Sequence, residues 1–253
     1  MRWLLHLLLV LVAPFAARAE ELTVMMSTQD VAITSTYTGA RVTVFGLIER
    51  DATSISRSGK YDVVVTVAGP AAPLVVREKE RVGPIWINRT LRRYPDVPGY
   101  FALLTSGPLA SIANEAARER QKMGIDYYLT RASTVAGAEG REAAAAAALS
   151  RLRKRVDLLV EDARAVQMPR PNIFSAAAIL PSTAPTGRYV VSITVLSDGV
   201  PLKTTNTSFV VRKIGTEALI AAFARDNGWL YGLIAALSAL FIGYVGNLMF
   251  RRD

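Results

Sequence analysis

An unbroken run of uncharged, mostly apolar residues from Trp229 to Phe250, halted by Arg251 and Arg252, constrains this chain more than any other feature. As a helix rising about 1.5 Å per residue, the run extends roughly 33 Å, enough to cross a hydrocarbon core of about 30 Å. Lipid offers no partner for backbone amides, so a lone segment of this kind crosses as a helix. Cationic residues concentrate on the cytoplasmic side of such spans. The run therefore predicts a single membrane anchor over 229–250 and a cytoplasmic tail over 251–253, with everything before it on the opposite side.

The other end predicts the same topology. Arg2 lies in a short cationic opening, Leu4 to Val12 is apolar but short for a span, Pro14 breaks it, and Ala17-Arg18-Ala19 has the small-x-small form of a cleavage site. Residues 1–19 read as a secretory signal peptide, with an uncleaved anchor as the alternative, and both readings export the middle of the chain. Removing the leader removes the only His, His6, and the chain has no Cys. Thiol nucleophiles, Cys or His metal sites and Ser-His or Cys-His pairs are then excluded by composition. Without disulfides, the exported part has to hold itself together by burying a core. Arg2 and Arg18 also leave, taking the formal net charge from +9 to +7. Beside an anchor, a basic balance meets anionic headgroups first, and no aromatic-interleaved basic stripe points to nucleic acid.

From residue 20 to 106 the chain reads as short strands rich in Val, Ile, Thr and aromatics, separated by Thr38-Gly39, Ser58-Gly59, Gly69-Pro70, Gly83-Pro84 and Pro98-Gly99. This predicts a β-sandwich domain. The span 107–165 reads as helical. Pro108 opens one helix that ends near Gly124, and a second covers about 138–165, with Leu149, Leu152, Val156, Leu159 and Ala163 on one face. Arg151, Arg153, Lys154 and Arg155 occupy the other side as a solvated face or, alternatively, a lipid or partner site. Pro169 and Pro171 close that helix. A second β segment, 166–213, then offers three strands and an Asp198-Gly199 hairpin turn, too few to stand alone. It either completes the first sheets or forms a small immunoglobulin-like module. An amphipathic juxtamembrane helix over 214–228 leads into the span. The fold class expected is mainly β with inserted helices: an immunoglobulin-like sandwich plus one transmembrane helix.

Charge and an aromatic residue concentrate between Arg77 and Arg89. Lys79, Arg81, Trp86, Asn88 and Arg89 can line an anion- or peptide-binding edge, since guanidinium groups suit planar oxyanions and indole offers a flat apolar contact. The alternative is an exposed strand of alternating charge that resists edge-to-edge pairing, followed by a core Trp. In the span, Ala235, Ala239, Gly243 and Asn247 recur at four-residue spacing, a small-residue face able to pack on another transmembrane helix. Ser58-Gly59-Lys60 is a turn rather than a phosphate loop, because the upstream glycine is missing. Glu78 with Glu80, or Glu161 with Asp162, read as solvated charges before cation ligands. No catalytic, metal or cofactor residues emerge.

Several stretches carry a resemblance. Asp30 to Thr34 with Tyr37-Thr38-Gly39, Val44-Phe45-Gly46, Lys79 to Asn88, Val97 to Phe101 and Pro185 to Tyr189, together with the terminal anchor, resemble the alphaproteobacterial putative transmembrane protein family. The block around Trp86 and Asn88 is the most specific part. The resemblance implies an inner-membrane accessory role beside sulfite-exporter-type permeases and carries over no catalytic residues. The expectation is a periplasmic interaction module, not an enzyme, that uses no cofactor and binds a membrane-protein partner. An anchored binding protein for a small anion is the alternative, and an anchored hydrolase a more distant one.

Overall fold

The computed structural model describes residues 21–34, 36–49, 60–130, 133–134 and 140–250. The expected signal peptide, Ser58-Gly59 and the 251–253 tail lie outside them. Two sheets pack face to face. The first has the order β1 (Glu21–Met26), β3 (Gly39–Glu49), β11 (Ile173–Pro181), β10 (Val166–Arg170). The second has the order β2 (Asp30–Ile33), β13 (Val200–Lys213), β12 (Gly187–Ser197), β4 (Tyr61–Ala68), β7 (Phe101–Thr105), β9 (Leu159–Asp162).

In β3, Val42, Val44 and Ile48 point inward while Arg41, Phe45 and Glu49 face out, the period-two pattern of a sheet with one buried face. β4 is different. Tyr61, Val63, Val65 and Val67 enter the sandwich core, and Val64 enters a second core on the opposite face, which explains a valine run without polar alternation. That second face is covered by α1 (Leu109–Ile112), α3 (Asp126–Leu129) and α4 (Glu142–Arg155), through Ile112, Leu129 and Leu149, with α2 (Glu115–Arg120) linking the first two.

The two sequence segments at 20–106 and 166–213 interleave in one sandwich: β11 lies against β3, and β12 lies between β4 and β13. The later segment holds four strands, β10 to β13, one more than its sequence suggested, and they complete the sheets begun by the N-terminal ones. Gly46 makes one of these joins possible. It faces Phe174 across the β3–β11 pair, and a Cβ there would come within 2.1 Å of the phenyl ring.

The second long helix ends earlier than its periodicity predicts. α4 stops at Arg155, Asp157 takes φ +56, and Leu159 pairs with Phe101 as the start of β9. Pairing along the open edge of β7 wins over helix continuation, so Leu152 and Val156 stay exposed at 56% and 46% while Leu159 is buried. Pro169 does not terminate a helix. It sits in β10, an edge strand, where a missing N–H is tolerated. The first predicted helix is likewise broken at Ala113, whose backbone is extended, into α1 and α2. As expected, no helix forms among the described residues before Leu109.

Pairing directions give the sandwich two distinct ends. β13 finishes at Lys213, just before α5 (Thr216–Asp226) and α6 (Gly228–Phe250). β2 runs parallel to β13, and β12 and β4 alternate against it, so β2 and β4 finish at this anchor end and β12 begins there. β7 and β9 start there too. Near the start of β12, Tyr189 stacks on Phe209 at 4.9 Å and donates its hydroxyl to the Pro185 carbonyl at 2.7 Å. Tyr100 lies 5.9 Å from Tyr189 and donates to the Ile179 carbonyl at 2.9 Å, tying the second sheet to the first.

Candidate functional site

Between β4 and β7 the chain leaves the sandwich as a long hairpin, β5 (Ala71–Val82) and β6 (Ile85–Pro98), with the two-residue β8 (Ser133–Thr134) added beside β6. Its base is fixed by packing. Tyr94 and Val97 are buried in the second core, and Leu91 packs on Ala145 of α4. α4 and the residue before it brace the ribbon along its length: Arg141 pairs with Glu78 at 3.3 Å in the outer part, Arg92 with Glu142 at 3.7 Å farther in, and Arg153 donates to the Pro98 carbonyl at the base. Burial pulls the Arg153 guanidinium below its ordinary pKa. Gly83, at φ +60, takes the first central position of the two-residue turn, where a type II′ hairpin needs a positive φ.

Beyond Leu91 the described residues give the hairpin no packed cover on either face, only the ion pair from Arg141 to Glu78. Cross-strand partners share a face, so Lys79, Arg81, Trp86 and Asn88, paired as Lys79 with Asn88 and Arg81 with Trp86, lie together on one side. Arg89 does not join them. It lies on the opposite side with Glu78, Glu80 and Ile87, and its guanidinium is taken by Glu80 at 2.8 Å. Arg81 donates through Nε to the Gly83 carbonyl at 3.0 Å, bracing its own turn. The expected site residues thus surround a convex tip rather than line a pocket.

Trp86 is 67% exposed, not a core residue, and Val82, Ile85 and Ile87 are exposed with it. These three aliphatic residues are the part that sequence reading passed over. Their signal was present in the apolar residues flanking Gly83-Pro84 on both sides, which a buried strand would explain equally well.

Other concavities offer less. A cleft of about 460 Å³ beneath the short helices is lined by Glu115, Glu119, Asp126 and Glu161 with Arg118 as a lone cation. No cluster among the described residues has the carboxylates or other ligands to hold a metal. Glu161 is engaged by Lys154, and Asp162 accepts from the Arg164 amide.

The second feature with functional content is α6. At about 1.5 Å per residue its 23 residues extend roughly 35 Å. None of its spanning window is buried against the rest of the chain, and Leu237, Leu240, Phe241 and Ile242 are all more than half exposed. Trp229 and Tyr231 sit in its first turn, where amphipathic rings favour the membrane interface. Ala235, Ala239, Gly243 and Asn247 lie within this helix, and a Cβ added at Gly243 would meet nothing within 4 Å.

The sequence model of the family described as Putative transmembrane protein (Alph_Pro_TM) matches residues 21–252. The chain belongs to that family. No curated protein matches it. Membership accounts for the exposed apolar surface of α6 as lipid-facing, and it makes this a membrane protein with one candidate span among the described residues, Gly228–Asn247.

Proposed function

We propose that this family member is a single-pass inner-membrane protein with its C-terminus in the cytoplasm and its bulk in the periplasm, where the β5–β6 hairpin docks on a neighbouring membrane protein. The observation that carries the reading is the hairpin tip. Val82, Ile85, Trp86 and Ile87 are held out in solvent on a ribbon braced by α4. The cross-strand register sets Trp86 on one face of the tip, among Lys79, Arg81 and Asn88, and Val82, Ile85 and Ile87 on the other, beside Arg89, so the tip offers an exposed indole and an aliphatic patch, each rimmed by charges, the kinds of side chain that anchor protein interfaces. Action is by binding rather than chemistry, consistent with a chain that lacks Cys and retains no His once the expected leader is gone. The partner class proposed is a transport protein of the permease type, engaged by the tip outside the bilayer and by the Ala235, Ala239, Gly243, Asn247 face within it.

The sandwich is read as immunoglobulin-like. The order β1-β3-β11-β10 facing β13-β12-β4 corresponds to strands A-B-E-D facing G-F-C. Tyr189, reaching back to Pro185, takes the place of the tyrosine corner, and buried Val191 stands where antibody domains carry a disulfide cysteine. On this reading the β5–β6 hairpin is an insertion after strand C.

The small-anion alternative has less support, because Arg89 is neutralised by Glu80 and Arg81 is spent on its own turn. Photo-crosslinking from position 86 in native membranes tests the docking reading. A discrete adduct with one membrane protein is expected from position 86 and not from position 200, at the opposite end of the sandwich. Equal or absent adducts at both positions would refute the hairpin as the docking surface.

A further inference from the structure

The anchor end of the sandwich carries a cluster of cations, most of them outside any ion pair among the described residues. Arg188 opens β12, Arg212 and Lys213 close β13, and Arg155 closes α4, whose C-terminus reaches this end where the Phe101 amide bonds the Leu158 carbonyl. Arg212 is held by Asp30 at 2.8 Å. Arg155, Arg188 and Lys213 are exposed and form no ion pair among the described residues. Carboxylates of the same region are Asp157, two residues after Arg155, and Glu217 and Asp226 within α5. Exposed apolar side chains accompany the cations: Val156 at 46% and Ile214 at 47%.

α5 decides how far this end stands from the bilayer. Only Ile214 and Gly215 separate it from β13, a reach of about 7 Å at most. Ile220 and Phe223, one turn apart, remain 55% and 36% exposed, so the described residues cover that stripe only in part. A short apolar-striped helix between a water-facing domain and a span is suited to lie in the interfacial plane. Asn227 makes the bend: its amide bonds the Phe223 carbonyl to close α5, and its carbonyl accepts the Tyr231 amide to open α6. An upright α5 would hold the sandwich roughly 16 Å farther away.

We propose that this end of the sandwich rests on the anionic headgroups of the bilayer that α6 crosses, with α5 lying flat between them. Lipid phosphate is the complementary charge, and the covalent continuity with the anchor keeps it within reach. The contact orients the hairpin and is independent of whatever the hairpin tip engages.

The chain has no Cys, so one introduced thiol gives a unique label. Full-length protein is placed in nanodiscs of phosphatidylglycerol or of phosphatidylcholine, each with a nickel-chelating lipid as headgroup quencher. A fluorophore is attached after Val156→Cys or, as the far-end control, Val200→Cys. Quenching at position 156 should greatly exceed that at position 200 in phosphatidylglycerol and fall in phosphatidylcholine. It should fall likewise when Arg155→Gln, Arg188→Gln and Lys213→Gln are combined, each cation contributing about fivefold to headgroup association. Equal quenching at the two positions in phosphatidylglycerol, or quenching at position 156 that ignores lipid charge, would overturn the proposal. The comparison between lipids needs no charge variant, so it stands even if the triple variant folds poorly. Neither outcome bears on crosslinking from position 86.

Discussion

β4 and β5 are separated only by Gly69-Pro70, and both are continuous strands, yet β4 is buried on both faces and the distal half of β5 on neither. Strand propensity made both. What covers them differs: β4 lies between a facing sheet and a layer of helices, whereas among the described residues the outer part of β5 packs on β6 alone, with one ion pair to Arg141. A residue of one chemistry should therefore be worth very different amounts in the two places. Ile193, fully buried beside β4 and paired with Val65, and Ile85, 59% exposed at the hairpin turn, make the cleanest test. Ile193→Ala should cost about 2–5 kcal/mol by transfer and cavity terms together. Ile85→Ala should stay within about 0.5 kcal/mol. Denaturation midpoints of the full chain in detergent measure both, and similar costs would mean that the hairpin packs against the body after all.

Next in size is the glycine that lets the two β segments meet. A side chain at Gly46 collides with a ring already locked in the core, so Gly46→Val should cost about 1–3 kcal/mol as the ring is displaced. Gly83 has open space around it, and Gly83→Ala would act only through the positive φ of its turn. A harmless Gly46→Val would show that the β3–β11 pair adjusts more freely than the register implies.

The anchor, the strand-rich composition and the turns at Gly83-Pro84 and Asp198-Gly199 were legible because each follows from local chemistry. At Asp198 and Gly199 both residues take positive φ, as the Asp-Gly pair predicts. The strand at Leu159–Asp162 was not legible. Leu149, Leu152, Val156 and Leu159 keep helical spacing to the end, and only the unpaired edge of β7, more than fifty residues earlier in the chain, draws Leu159 out of the helix. The candidate site was half legible for the same reason. Its residue types and turn were visible, but burial of Trp86 depends on whether anything covers the ribbon, and nothing within the described chain does. That Arg89 is occupied by Glu80 required the cross-strand register.

The tyrosines sharpen the same contrast through pH. Burial raises the pKa of both Tyr100 and Tyr189, with Asp157 and Tyr37 adding to the shift at Tyr100. The folded state thus keeps both phenols protonated, while an unfolded chain releases those protons near pH 10. Their contribution is fully present below about pH 10 and is lost as pH rises toward the folded values. Tyr189→Phe gives up the bond to Pro185, about 1 kcal/mol at neutral pH, and should make the alkaline decline shallower than in the unaltered chain. Midpoints recorded across that range check the sign. A decline of unchanged steepness would mean that Tyr189 ionises as freely folded as unfolded.

The smallest effect belongs to the hairpin's own ion pair. Arg89 and Glu80 are 47% and 37% exposed, so solvent screens most of their attraction, and a double-mutant cycle should return roughly 0.2–1 kcal/mol, shrinking with added salt. Its consequence for binding is larger than its stability. With the guanidinium held by a carboxylate, the ribbon presents Trp86 and aliphatic side chains rather than a free anion receptor. Glu80→Gln releases Arg89 at little structural cost. If calorimetry with sulfate shows saturable heat only in that variant, the pair is what keeps the native tip a surface for apolar contact. If the unaltered chain already binds sulfate, the guanidinium is not occupied as the 2.8 Å contact indicates, and the division between a stabilising core and a recognition ribbon has to be redrawn around an anion.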